Sequence, residues 1–544
     1  MNSRRSTLFG RTDDFEESAS HDRGVVAFVV LCSVASFLLD SYQLGGSSVW
    51  GDEGASISIA SQNGGALFHA ISHDGGNLAF YYLCLHLIIA VFGSGTNTLR
   101  IFSVLCGCAC VPLSFGLGAT LVNRRCGVYC VVLTTMSLPL IYWSQQIRGY
   151  SLVVALLLGS ALVLSRAIRD GGWRNFLGFA ILGLLSCYTE LLAGIVVAIQ
   201  LLILPMTPAI KRRIVPLLLT SVTMAIALVP LVLIAHARGA KQLFWLGAPR
   251  PRQLRETAAF LASARVNGVT TPTTHTLSEL TVILTIVACV VGLLQAVWSR
   301  SFYPARMVLL GSLWLVLPIA IAYSISIDYS PIFLDRYFLL TLPALTLLLG
   351  YLLSVFPIVS ISWLVVTVII VLRSLQIAPT YDVNIDDWRD ATTMVVNESH
   401  PGDCVAFYFN DGFVDFSYYL EHRPAAMRPG ATVPRSVLPA LSFGAHPIDV
   451  SLSQHPAIVE SYAALSKRQI RSVSSHCPTL FVISNHDGHN SATTGARAVW
   501  SRFVTMRNGL FAAYGKSETT NLDPITIFTF HHATSTTASP GSTT

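Results

Sequence analysis

Two adjacent carboxylates, Asp52 and Glu53, follow the first apolar run of the chain within Trp50-Gly51-Asp52-Glu53-Gly54. A second polar cluster comes soon after, Ser72-His73-Asp74-Gly75-Gly76-Asn77. An acid at the edge of a hydrocarbon layer must be solvated, paired or used. The plain reading is a wet loop that ends a helix, with Asp74 a turn residue ahead of its glycines. Further along, Arg100, Gln145, Gln146, Arg148, Tyr150, Glu190, Asp335, Arg336 and Tyr337 also fall at the ends of apolar runs. Acids alone would suggest a path for protons or cations. Acids together with arginines suggest a reaction on an anionic substrate: a carboxylate takes the proton of an attacking hydroxyl, and a guanidinium neutralises a departing phosphate.

The elements that must position these groups are membrane spans. Of 544 residues, only 12% are charged, and the mean hydropathy of +0.58 is that of a polytopic membrane protein. The net charge of +6 is dispersed between apolar runs, so Lys and Arg mark topology and give no sign of nucleic-acid binding. Residues 1–23 read as a cytoplasmic disordered tail whose arginines hold the N-terminus inside. The domain over residues 24–379 reads as all-α, with about eleven spans alternating across the bilayer. Residues 40–77 form a first outer loop, and residues 236–277 a second that carries an unusual run of arginines, suited to phospholipid or to a phosphate-bearing substrate. On this alternation the polar residues named above gather on one outer face. Tyr82, on a short aromatic helix, reads as part of an interfacial belt or as a sugar-facing ring, and Arg100 and Arg148 have snorkelling as their plain alternative.

Most of the eleven cysteines lie in apolar runs, and Cys106-Gly107-Cys108-Ala109-Cys110 reads as helix packing, not a metal cluster. After Pro379 the composition changes. A helix signal at residues 387–397 and strand signals at 404–409, 480–484 and 525–530 predict an extracytoplasmic α/β domain over residues 380–534, then a disordered tail, 535–544. Cys404 and Cys477 both flank predicted strands, and spacing alone leaves their pairing open. His486-Asp487 and His531-His532 read as solvated loop residues.

Several of these stretches resemble a known family. Trp50-Gly51-Asp52-Glu53, His73-Asp74-Gly75-Gly76-Asn77, Phe92-Gly93 with Leu99-Arg100, and Tyr142-Trp143-Ser144-Gln145-Gln146-Ile147-Arg148-Gly149-Tyr150 are similar to successive motifs of the type C membrane glycosyltransferases. The branch resembled is the bacterial one related to protein O-mannosyltransferases and lipid A aminoarabinose transferases. Asp335-Arg336-Tyr337-Phe338 resembles a later motif, and Asp387-Trp388-Arg389 the start of the outer domain, so that residues 24–419 are covered. Two departures stand out: Gly76-Asn77-Leu78-Ala79 where relatives have Gly-Asn-Pro-Pro, and Gln145-Gln146-Ile147-Arg148 where they have Gln-Glu-Ala-Arg.

The resemblance implies a polyprenyl-phosphate sugar as donor and inversion at the anomeric carbon. Asp52 is then the base, with Glu53 its acidic neighbour in the catalytic pair. Arg100 and Arg148 lie near the donor phosphate or hold the first loop. Asp74, Tyr82, Gln145, Tyr150, Glu190, Arg336 and Tyr337 complete the substrate site. No cofactor or metal site is assigned, and a divalent cation is left open. The acceptor is an envelope glycan, lipid or protein at the outer face of the plasma (inner) membrane. The rival readings are a carrier or flippase for a lipid-linked or anionic solute, and a catalytically silent assembly subunit.

Overall fold

The computed structural model describes residues 10–242, 248–266, 269–408, 412–437, 464–485, 494–522 and 524–532. Among these, eight helices are long and apolar enough to cross a bilayer, or nine when Arg124–Thr135 and Leu138–Ser144 count as one bent span. The expected eleven include two further crossings, Trp173–Thr189 and Ala193–Ile203, which divide residues 176–206 into pieces shorter than the ~20 residues of a full crossing. The first helix, Gly10–Ser41, begins inside the stretch read as a disordered tail, where no proline interrupts it.

The bent span has a local cause. Pro139 lacks an N–H and its ring opposes the carbonyl four residues back, so the helix stops at Thr135 and restarts at Leu138 with a 55° bend. Arg373, buried in Val359–Tyr381, donates to the carbonyls of Leu133 at 2.8 Å and Met136 at 3.4 Å and so satisfies the broken end. Val222, Ile226, Leu293, Val297 and Leu364 stay exposed on the bundle's outer surface, as lipid contact requires. The most enclosed spans, Tyr150–Asp170 and Asp335–Val355, carry Tyr150, Arg336 and Tyr337 at their N-terminal ends. Cys106 and Cys110 are buried within a span and Cys108 donates to the Ser33 carbonyl, which is helix packing.

The first loop folds back as two short helices, Gly51–Ala60 and Gly64–His73, and Ala79–Phe92 follows. The C-terminal region is an α/β unit. Its strands are β1 (Cys404–Tyr408), β2 (Arg435–Val437), β3 (Thr479–Ser484), β4 (Gly515–Leu522) and β5 (Ile525–His532), in the order β2-β1-β3-β5-β4. Strand β1 runs parallel to β2 and β3, while β5 is antiparallel to β3 and β4. Alternation sends Cys404, Ala406 and Tyr408 to one face, against Lys467–His476 and Thr494–Tyr514. Val405 and Phe407 go to the other, where they join Val49, Ile57 and Ile59 of the first loop in one buried cluster.

Cys404 and Cys477 are joined as a disulfide, with Cα atoms 5.6 Å apart, which settles the pairing left open by spacing. His531 and His532 are strand residues, not loop residues: β5 pairs them with Thr479, Lys516 and Gly515. His486-Asp487 lies outside the described residues. The polar strand β4 and the three-residue β2 were not expected, because neither has an apolar alternation to announce it.

Candidate active site

Asp52 stands in the first turn of Gly51–Ala60, where the amide dipoles of the helix favour a negative charge. Its carboxylate Oδ2 is 3.1 Å from Nη2 of Arg336 and 3.8 Å from Nη2 of Arg148. The side chain keeps 32% of its surface exposed, so it is the reachable member of the acidic pair. Arg148 also donates from Nη1 to the Asp52 carbonyl and to Ser56 Oγ, both at 3.2 Å. Burial pulls the Arg148 guanidinium down, but Asp52 together with Tyr150 and Tyr82 more than offsets this and holds it well above its ordinary range. Arg336 lies over the rings of Trp50, at 5.7 Å, and Tyr337, at 5.9 Å. Its Nε is buried without a hydrogen-bond partner. Tyr150 packs its ring against Trp143 and Tyr337.

Glu190 occupies the polar turn between Trp173–Thr189 and Ala193–Ile203. It is 4% exposed, its Oε2 lacks a hydrogen-bond partner, and Arg148 and Arg336 lie within electrostatic reach. Burial pushes its carboxyl up to about 7, which the Leu192 amide and the two arginines only partly offset. Asp74 accepts the Tyr82 hydroxyl at 2.8 Å, and Tyr82 in turn feels the charges of Arg148 and Asp52.

Other expected site residues serve as struts. Glu53, read from the sequence as the catalytic neighbour of Asp52, is fully buried: Oε1 accepts Arg100 Nε at 3.0 Å and the Ile147 amide at 2.7 Å, and Oε2 accepts Arg100 Nη2 at 2.7 Å. Arg100 spends its remaining donors on the carbonyls of Leu44, Ser47 and Ser48. A guanidinium has five N–H donors, so none is left here for a phosphate. Gln145 donates to the Tyr42 carbonyl at 2.7 Å. Gln146, standing where the related motif has an acid, accepts the Trp50 indole N–H at 2.8 Å. Trp50 and Ser56 were missed from sequence; the signal for Trp50 was its place immediately before the acidic pair.

Among the described residues no three His, Cys, Asp or Glu side chains converge as a metal cluster. Near Asp52, two guanidinium groups with a spare donor face a carboxylate, an arrangement suited to an anion with a proton to be moved beside it.

No family model matches the chain, and no curated sequence does. Solved structures do. ArnT from Cupriavidus metallidurans bound to undecaprenyl phosphate matches with a TM-score of 0.54 at 12% identity, over 93% of this chain and 97% of that one. Its apo state gives 0.52 at 11% identity, over 94% and 98%. An oligosaccharyltransferase of Archaeoglobus fulgidus in complex with Zn and sulfate gives 0.50 at 11% identity, over 90% and 71%. The chain has the type C glycosyltransferase fold. In this fold the first-loop helix, the turn before Tyr150 and the segment Asp335–Thr341 meet end to end, and that meeting creates the Asp52–Arg148–Arg336 cluster. At 11–12% identity the likeness speaks for the fold alone.

Proposed function

We propose that this protein is an integral membrane glycosyltransferase that moves a sugar from a polyprenyl-phosphate donor to an envelope acceptor at the outer face of the plasma (inner) membrane. The observation that carries the reading is the reachable carboxylate of Asp52, 3.1 Å from one guanidinium and 3.8 Å from another. Undecaprenyl phosphate in the ArnT structure supports a lipid-linked donor.

The geometry suggests how the parts cooperate. Without donor, the charge of Asp52 is held by Arg336 and Arg148. A donor phosphate competes for the same guanidinium edges and takes the spare Nε of Arg336, so its arrival releases Asp52 as a stronger base. Asp52 then removes the proton of an acceptor hydroxyl as that oxygen bonds to the anomeric carbon from the face opposite the phosphate. The bond from the anomeric carbon to the phosphate oxygen breaks, and the growing phosphate charge is met by Arg336 and Arg148. Glu53 and Arg100 hold the first loop, Tyr150 and Tyr337 wall the pocket, and Asp74, Tyr82 and Glu190 face the sugar or the acceptor.

The test is transfer of radiolabelled sugar from a panel of polyprenyl-phosphate donors by membranes holding wild type or Asp52→Asn. The near-isosteric variant is expected to lose at least ~2 orders of magnitude in kcat. Undiminished transfer by the variant would rule out Asp52 as the base.

A further inference from the structure

The strap that delivers Asp52 to its site, residues 44–49, has no regular secondary structure, yet it is gripped from two sides. From the membrane domain, Arg100 takes the carbonyls of Leu44, Ser47 and Ser48. From the outer domain, Arg389 takes those of Gly45 at 3.0 Å, Gly46 at 3.1 Å and Ser47 at 3.0 Å. Every carbonyl from Leu44 to Ser48 therefore ends on a guanidinium.

The outer domain also receives the strap's donors. Asn384 Oδ1 accepts the Ser48 amide at 3.1 Å, and the Tyr419 hydroxyl accepts the Val49 amide at 2.6 Å and lies 3.0 Å from Ser48 Oγ. The Ser48 hydroxyl in turn accepts the backbone N–H of Arg389 at 3.0 Å. The strap has no room for side chains at its glycines: a Cβ on Gly45 would meet Asn97 Oδ1 at 2.8 Å, and one on Gly46 the Gln43 carbonyl at 3.0 Å.

These contacts exceed what docking needs. The outer domain is already seated by the shared apolar cluster. Tyr418 adds a hydroxyl contact to Thr96 at 2.7 Å, and His422 one to Ser94 at 3.0 Å. The carbonyl grip falls instead on the residues immediately before Trp50 and Asp52.

We infer that Arg389 and Tyr419 of the outer domain are positioning residues for catalysis, which fix the strap 44–49 and through it the carboxylate of Asp52 against Arg336. The outer domain is thus a working part of the transferase site. The kinetic consequence rests on the glycosyltransferase reading; the structural consequence does not. A released strap lets the base wander, and a displacement near 1 Å lowers a positioned reaction by ~10²-fold while leaving substrate binding nearly intact.

The experiment uses the full-length protein in nanodiscs, as wild type, Arg389→Met and Tyr419→Phe. It reads amide hydrogen exchange over residues 44–56 together with kcat and KM for the donor. Arg389→Met is expected to speed exchange at residues 44–52 by ~10-fold or more, with exchange in β1 and β3 unchanged. Its kcat should fall ~10- to 100-fold with KM within about twofold, and Tyr419→Phe should move both in the same direction by less. Unchanged exchange at residues 44–52 in Arg389→Met overturns the inference whatever happens to the rate, and so does faster exchange with an unchanged kcat. If exchange quickens but even the wild type transfers no sugar from any donor, the clamp stands and the glycosyltransferase reading falls.

Discussion

Two arginines of this protein, the buried Arg100 and the partly exposed Arg336, have opposite duties, and substitution separates them. Arg100 has every donor engaged and pairs with a carboxylate that no water reaches. Arg100→Met would strand Glu53 as an unpaired buried charge, and a loss of about 3–5 kcal/mol is expected, read as a marked fall in Tm. Arg336 keeps a spare donor and pairs with the partly exposed Asp52. Arg336→Met is expected to leave Tm within a few degrees and to lower transfer by ~10²–10³-fold. Equal behaviour of the two variants would contradict this division. Glu190 offers a pH-dependent check. Its carboxyl titrates near 7 instead of 4.5 because it is buried. Between those values the folded protein holds a proton that the unfolded chain has released, so stability falls as pH rises from about 4.5 through 7. Glu190→Gln removes this loss. Its Tm should gain on the wild type between pH 5 and pH 8, within a ceiling of about 1.4 kcal/mol per pH unit, and a constant gap would speak against a buried, proton-holding carboxyl.

At the scale of elements, the site depends on helices that can come close enough to present their ends together. Thr96–Leu121 and Arg124–Thr135 form such a hairpin, with glycine against glycine: a Cβ on Gly118 would lie 2.9 Å from the Gly127 Cα, and one on Gly127 would lie 2.7 Å from the Phe115 carbonyl. Backbone cannot swing aside as a side chain can. Gly118→Ala should destabilise by ~1–3 kcal/mol, while Gly65→Ala, at an exposed position of Gly64–His73 with nothing within 4 Å of the new methyl, should leave Tm unchanged or slightly raised. Thermal unfolding of both variants in the same detergent decides the point. The Pro139 break belongs to this scale too, since it turns Leu138–Ser144 so that Trp143 packs on Tyr150.

For the molecule as a whole, the charge pattern and the disulfide point to one orientation. Arginine pairs such as Arg124-Arg125 mark one side, and Cys404–Cys477 belongs in an oxidising compartment. On the proposed reading, the site and the sheet domain lie on that second side. A membrane-impermeant maleimide on intact cells should label Lys467→Cys, at an exposed position of the sheet domain, and spare Arg125→Cys until the membrane is opened. The reverse pattern would put the site on the cytoplasmic face and remove the proposed acceptors.

The membrane class, the apolar spans and the α/β character of the C-terminal region were legible in the sequence, because each is written in local terms: runs of apolar residues and alternation. Trp388–Glu398 lies within one residue of the expected 387–397, since Asp387 is a recognisable cap and accepts the Asp390 amide. The division of labour within the site was not legible. Asp52 and Glu53 are adjacent and chemically alike, and only the helical turn that points one at Arg336 and buries the other against Arg100 tells them apart. Arg389 gave no local sign of its reach, because its partners lie more than 340 residues earlier in the chain. Which polar groups meet across such distances is decided by packing and by the need to satisfy every buried donor and acceptor, and only the tertiary structure determines that.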